Sequence, residues 1–192
     1  MKRLVFNIIG FFAVLSLSSC GYNSMVKLDE QVMSQWAQVE NVYQRRADLI
    51  PNLVNSVKGA ANFEKETLTQ VIEARAKATS VNVDPTKLTP ESIAQFQAAQ
   101  GAISQSLGRL LATVEAYPEL KANQNFLELQ AQLEGSENRI TVERQKFNTV
   151  TQEYNSSIRT FPNNLTAGMF GFKTKGYFQA EAGANKAPKV EF

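Results

Sequence analysis

The chain has 192 residues, 43% hydrophobic and 20% charged, an ordinary globular composition with length for one domain and a real core. It has no His and a single Cys, Cys20, which removes imidazole and thiol chemistry from the folded part, and with them intrachain disulfides and most zinc sites. Of its 20 bases, Lys2 and Arg3 sit in the leader; the remaining 18 face 18 acids, so no basic face is implied and nucleic acid is not expected as a partner.

Residues 1–19 read as a signal peptide. Lys2 and Arg3 precede an apolar run from Leu4 to Leu17, interrupted at Asn7, Gly10 and Ser16. Leu17-Ser18-Ser19-Cys20 then resembles the lipobox of bacterial lipoproteins, in which the Cys is acylated and becomes the new N-terminus. The alternative is an uncleaved transmembrane anchor, although the run is shorter than the roughly 20 residues a span needs. Residues 20–24 are expected to form a lipidated tether, which makes membrane lipid the first expected partner.

Residues 25–162 are expected to form an all-α, antiparallel up-and-down bundle of three to four long helices. Met25, Leu28, Val32, Trp36, Val39 and Tyr43 step by three and four, and the phase resumes with Ile50, Leu53, Val57 and Ala61. Pro51 must kink this helix or open a new one; the unbroken phase favours a kink. A reversal is expected near Gly59, with Asn62 as N-cap and Glu64 and Glu66 in the next first turn. Leu68, Val71 and Ile72 continue inward to Ala78, and residues 80–89 are a loop. Thr89-Pro90-Glu91 opens a helix with the seam Ile93, Phe96, Ile103, Leu107, Leu110 and Val114, in which Gln100 is the polar residue in phase. Tyr117-Pro118 ends it. The last helix starts around Asn123 and runs through Phe126, Leu133, Ile140, Phe147 and Tyr154 to Phe161-Pro162.

Residues 163–192 change character. Gly168, Gly171, Gly176 and Gly183 are expected to break any helix, yet Phe170, Phe172, Tyr177, Phe178 and Phe192 are too aromatic for a disordered tail. The segment is expected to lie irregularly along the bundle and bury those rings, the alternative being a strip for a partner. Asn138, Asn148 and Asn155 either hydrogen-bond this tail or are exposed polar residues.

The candidate site residues form a polar cluster rather than a catalytic one. Arg46 falls in the apolar phase between Tyr43 and Ile50, where an entering charge must be paired. Glu137 and Glu143 interrupt the last helix's seam, and Asp48 lies close in sequence; Arg45 and Arg75 complete the cluster. Either Arg46 makes a partly buried ion pair that registers the first and last helices, or it faces a cleft and binds an anionic group. No catalytic constellation, metal-binding loop or cofactor motif is present in the sequence.

These residues also carry a resemblance. Tyr22-Asn23, Trp36, Gln44-Arg45-Arg46-Ala47-Asp48-Leu49-Ile50-Pro51-Asn52-Leu53-Val54, Glu73-Ala74-Arg75-Ala76, Glu115-Ala116-Tyr117-Pro118-Glu119-Leu120, Leu133-Glu134-Gly135-Ser136-Glu137-Asn138-Arg139-Ile140 and the closing Pro188-Lys189-Val190-Glu191-Phe192 resemble the LemA family. The resemblance covers essentially the whole chain after the leader. It implies an all-helical antiparallel bundle on the outer side of a bacterial membrane, with no assigned enzymatic activity. Two departures stand out: a lipobox where many members keep a transmembrane helix, and Phe147 where Tyr is common. The functional expectations are a lipid-anchored scaffold or adaptor for other envelope proteins, self-association included, or a protein binding a small anionic ligand or peptide between helices.

Overall fold

The computed structural model describes residues 2–59 and 63–180, with side chains described from residue 21 onward. In chain order the helices are α1 (Lys2–Lys58), α2 (Lys65–Ser80), α3 (Pro90–Val114), α4 (Pro118–Lys121), α5 (Gln124–Arg159) and α6 (Asn163–Met169). Among the described residues there is no strand, and no helix is long and apolar enough to cross a membrane.

The chain forms an antiparallel helical bundle. Arg46 meets Glu137 and Trp36 meets Phe147, so α1 and α5 run in opposite directions, and this is the bundle's most extensive pairing. Trp36 meets Phe96 and Arg46 meets Ser104, so α3 runs parallel to α1. Phe63 meets Tyr117 and Gln70 meets Arg109, so α2 runs back between them.

Helix α1 buries Met25, Val32, Trp36, Val39, Tyr43, Ile50, Leu53 and Val57 along one stripe, as the seam spacing requires. It passes through Pro51 without ending. Proline offers no N–H to the carbonyl four residues back, that of Ala47. Arg75 of α2 fills the gap: its Nε donates to the Ala47 carbonyl at 2.7 Å. The reversal follows Lys58, near Gly59. Asn62 and Ala61 lie outside the described residues, and the N-cap position of α2 is held by Glu64, not Asn62, without a side-chain capping bond.

Helix α2 also corrects the expectation for Ile72, which is 45% exposed. Thr67, Leu68, Val71 and Ala78 set the buried face, and at 3.6 residues per turn Ile72 falls about 100° from its centre. The other start signals are as read: Thr89 accepts from Ser92 N with Pro90 at the first position of α3, and Asn123 accepts from Phe126 N at the start of α5.

The core is in two parts. The distal part joins Ile50, Leu53, Val54, Val57, Leu68, Val71, Ile103, Leu107, Leu110 and Leu133 from four helices. The part toward residue 21 joins Met25, Trp36, Tyr43, Val83, Leu88, Phe96, Phe147, Tyr154 and Phe178. Helix α2 is too short to reach the second part, and the segment after α6 takes the place it leaves.

That segment is less irregular at its start than expected. Gly168 does not break a helix but lies within α6, and the stop comes at Gly171, whose φ of 76° suits a residue without Cβ. Phe172 N donates to Ala167 O, closing the helix end by a Schellman-type bond. Residues 172–180 then run extended along the bundle as a strap. Of the aromatic residues expected to be buried, Phe178 is buried and Phe172 half-buried, whereas Phe170 and Tyr177 stay exposed; Phe192 and Gly183 lie outside the described residues. Gly21–Ser24, expected as a tether, are helical within α1 and lie close to α6: a Cβ at Gly21 would sit 2.6 Å from Asn163 Oδ1.

Candidate functional site

Arg46 reaches from α1 into the seam between α3 and α5 with only 1% of its side chain exposed. Its Nη1 donates to Glu137 Oε1 at 2.6 Å and to Ser104 Oγ at 2.8 Å. Its Nη2 donates to Gln100 twice, to Oε1 at 2.8 Å and to the carbonyl at 3.1 Å. The guanidinium also lies 5.2 Å from the centroid of the Tyr43 ring. A planar fork with several donors can hold three helices at once, which an ammonium on a flexible stem does less well. Glu137 keeps 43% of its side chain exposed, so the pair is one-sided: the cation is buried and the carboxylate is half in water.

The other sequence candidates do not converge on this guanidinium. Glu143 accepts from Gln35 Nε2 at 2.6 Å and from Lys146 Nζ at 2.8 Å, and Lys146 beside it holds its carboxyl below the usual range. Asp48 accepts from Gln44 on the surface at 2.8 Å, and Arg45 is exposed. Arg75 serves the Ala47 carbonyl as described. Gln100 and Ser104 were not foreseen as partners; the available signal was Gln100 itself, a polar residue in the apolar phase of α3.

Toward residue 21 the strap lies between α3 and α5, held by amide side chains that read its backbone. Asn155 donates to Lys175 O at 2.9 Å and accepts from Lys175 N at 2.8 Å. Asn148 does the same to Phe178, at 2.8 and 2.9 Å, and Gln97 to Gln179, at 2.9 and 3.0 Å. Asn138 is exposed and takes no part. Gly176 N donates to Leu88 O at 2.8 Å, and a Cβ at Gly176 would lie 2.7 Å from Pro90 Cα, so only glycine lets the strap approach α3 this closely.

Two side chains anchor the strap. Phe178 stacks on Trp36 at 6.0 Å and meets Phe147 edge-on at 5.4 Å, with the Arg144 guanidinium 5.0 Å from its centroid. Lys175 is buried, paired with Asp29 at 2.7 Å, and 5.3 Å from the Tyr154 ring centroid. Burial and the Asp29 carboxylate push the Tyr154 hydroxyl up to about 12, and the hydroxyl donates to Lys173 O at 3.0 Å.

Among the described residues the gap between α3 and α5 holds, alongside the strap, a groove of about 1120 Å³ with Arg46 and Tyr43 from α1 among its lining. Ala98, Gly101, Ser104 and Gln105 line the α3 side, Glu137, Ile140 and Arg144 the α5 side, and Tyr177 the strap. Among the described residues no three His, Cys, Asp or Glu side chains converge as a metal site would require.

Residues 35–192 match the LemA family. Protein LemA of Metamycoplasma hominis is 25% identical over 158 residues, which cover 82% of this chain and 68% of that protein. The magnetosome protein MamQ 2 of Paramagnetospirillum magneticum is 27% identical over 196 residues, covering 91% of this chain and 70% of that one. The magnetosome protein MamQ of Magnetospirillum gryphiswaldense is 25% identical over 194 residues, covering 91% and 71%. The matched stretch holds Arg46 with all its partners, every helix from α2 onward and the whole strap, and the chain belongs to the LemA family.

Proposed function

We propose that the protein is a non-enzymatic, lipid-anchored scaffold or adaptor of the bacterial envelope, acylated at Cys20 and docking extended segments of other envelope proteins, or of further copies, in the groove between α3 and α5. One observation carries this reading. Gln97, Asn148 and Asn155 each bind both the N–H and the C=O of a single strap residue, which is how a protein holds an extended peptide whatever its sequence. Among the described residues the same interhelical face holds a groove alongside the strap. The Leu17-Ser18-Ser19-Cys20 tetrad supports the anchor, and balanced charge beyond the leader gives nucleic acid nothing to hold. In this reading the folded domain stands outside the cytoplasm.

A second reading, a small anionic ligand or acidic peptide in the groove, is favoured by its lining: Arg46, Arg144, Arg159 and Lys175 against the lone carboxylate of Glu137. It is weakened because Arg46 and Lys175 already have carboxylate partners.

Photo-crosslinking from the full-length protein in intact cells tests the adaptor reading. A reactive residue at Ala98 or Gly101, on the open groove, should give a discrete protein adduct, and one at Glu66 or Glu128, on exposed turns elsewhere, should not. Gly176→Ala, which forces the strap off Pro90, should change the groove adducts alone. Equal adducts from all four positions, or none from the groove, would sink the adaptor role. Intact mass tests the anchor separately: an unmodified full chain would end it.

A further inference from the structure

The polar and apolar surfaces of the bundle are not evenly distributed. Among the described residues nine large hydrophobic side chains are exposed, and five of them, Tyr22, Phe161, Leu165, Met169 and Phe170, gather at the end where α6 meets the turn of α1 around Tyr22. Met169 is 82% exposed and Phe161 75%, values far above those of scattered surface hydrophobics such as Leu127. Leu165 and Met169 are four apart and share the outer face of α6, while Ala167, on the opposite face, is buried against the bundle. A short surface helix normally turns polar residues outward. This one turns apolar residues both ways.

The position of the patch says what covers it. Tyr22 packs on Phe170 with ring centroids 4.7 Å apart and on Phe172 at 5.9 Å, and Asn163, at the start of α6, touches Gly21. At about 1.5 Å of rise per helical residue, Tyr22 stands only about 3 Å along α1 from Cys20. A membrane held at Cys20, or by the apolar run Leu4–Leu17 before it, therefore has its surface at this patch. An interfacial apolar face sinks about 5–10 Å, which brings Phe161, Leu165, Met169 and Phe170 within reach of the acyl boundary. The charge agrees. Between Glu153 and Glu181 the chain has no Asp or Glu, and Arg159 and Lys173 are exposed on either side of α6.

The geometry points to α6 and its flanks as a membrane-dipping foot: the Phe161–Phe170 patch inserts into the interfacial layer of a bilayer carrying anionic phospholipid, with Arg159 and Lys173 at the headgroups, and so fixes the orientation of the bundle on its anchor. This rests on the anchored reading above. It adds that the domain stands directly on the membrane, with the groove between α3 and α5 held at a set angle to it.

The test uses the full chain in vesicles of phosphatidylethanolamine and phosphatidylglycerol, some with bromine on the upper acyl chain. Trp36 is the sole native Trp and is fully buried, so Met169→Trp places a reporter in the patch and Ile72→Trp places one on a remote exposed site. Bromolipid should quench the Met169→Trp emission severalfold more than that of Ile72→Trp or the wild type, and acrylamide should reach it less. A protein that floats with the vesicles while Met169→Trp is open to acrylamide and untouched by bromolipid overturns the foot and leaves the anchor standing. Quenching by neither agent means that a protein or second copy covers the patch, and overturns it too. A wild type that fails to float at all removes the anchor and the foot together.

Discussion

In the distal half of the bundle four helices close around mainly aliphatic side chains, whereas in the half nearer residue 21 three helices close around a core richer in aromatic rings, with the strap in the fourth place. The distal half is held by what a helix does by itself: Leu68 and Val71 from α2 meet Leu107 and Leu110 from α3 because each repeats at helical spacing. The other half is held by what an extended chain cannot do by itself. Its backbone groups have no helix to satisfy them, so Gln97, Asn148 and Asn155 do. Between the halves sits Arg46, next to Tyr43 of one core and one turn from Ile50 of the other. The difference teaches that the distal half rests on helical periodicity alone, while the other rests on specific amide contacts to an irregular segment of the same chain.

The largest expected effect separates the halves. Leu133→Ala in the distal core and Phe178→Ala in the other should cost about 2–5 and 3–5 kcal/mol respectively. They should differ in kind. Leu133→Ala lowers the midpoint of a urea titration and leaves the folded strap as resistant to protease as before. Phe178→Ala also opens residues 172–180 to cleavage under native conditions, since the ring is their main anchor. Equal strap protection in both variants would mean the strap is not a separately bound element.

Next in size is the joint between the halves. Arg46→Ala should cost about 3 kcal/mol, mostly because buried Gln100 loses its partner; half-exposed Glu137 regains water. A double-mutant cycle with Glu137→Gln should therefore show coupling of only about 1 kcal/mol, with the larger share on Gln100. Coupling to Glu137 that accounts for the whole loss would show the ion pair, not the amide contact, to be the joint.

Much of the helical framework of both halves was legible in the sequence, and the reason is local. Seam spacing, the Thr89-Pro90 start and the Asn123 cap are all properties of neighbouring residues. The presence of Arg46 in the apolar phase and of Glu137 in the phase of α5 pointed at each other for the same reason. The strap was legible as an aromatic, glycine-rich segment, and of the three asparagines expected either to hydrogen-bond it or to be exposed, Asn148 and Asn155 bind it and Asn138 is exposed. Gln97 was not legible, nor was which strap residue each amide reads, because that depends on the gap between α3 and α5 and a backbone that is read leaves no mark in its own sequence. Ile72 failed by the opposite route: it has the right residue type on α2 but lies off the edge of the buried face. Gly168 failed because a glycine near the end of a short helix costs less than the packing of Ala167 gains.

Arg75 gives a smaller and sharper test, because its role belongs to the distal half and depends on Pro51. Arg75→Ala should cost about 1–3 kcal/mol by leaving the Ala47 carbonyl unpaired. In a Pro51→Ala background, where a backbone N–H can return to that carbonyl, the same change should cost markedly less. An Arg75→Ala effect that ignores Pro51 would show the arginine to be packing alone.

The smallest effect concerns Glu143, which shares the seam of α5 with Glu137 but belongs to the strap half. Its carboxylate is held by Lys146 and Gln35 near the surface, so Glu143→Gln at neutral pH should change stability by no more than about 0.5 kcal/mol. The sign with pH follows from the direction of its shift. Lys146 and Gln35 favour the charged form in the folded state, so the folded carboxyl titrates below the unfolded one, near 4.3 on the ordinary scale. The stabilisation is therefore fully present above about pH 4.3 and disappears as pH falls through the lower folded value. Urea midpoints of wild type and Glu143→Gln should thus converge on acidification, the gap closing only below about pH 4.3. A gap that stays constant down to strong acid would mean that Glu143 contributes through its shape and not its charge, and a gap as large as that of Arg46→Ala would place the joint between α1 and α5 nearly two turns of α5 nearer the strap than its geometry does.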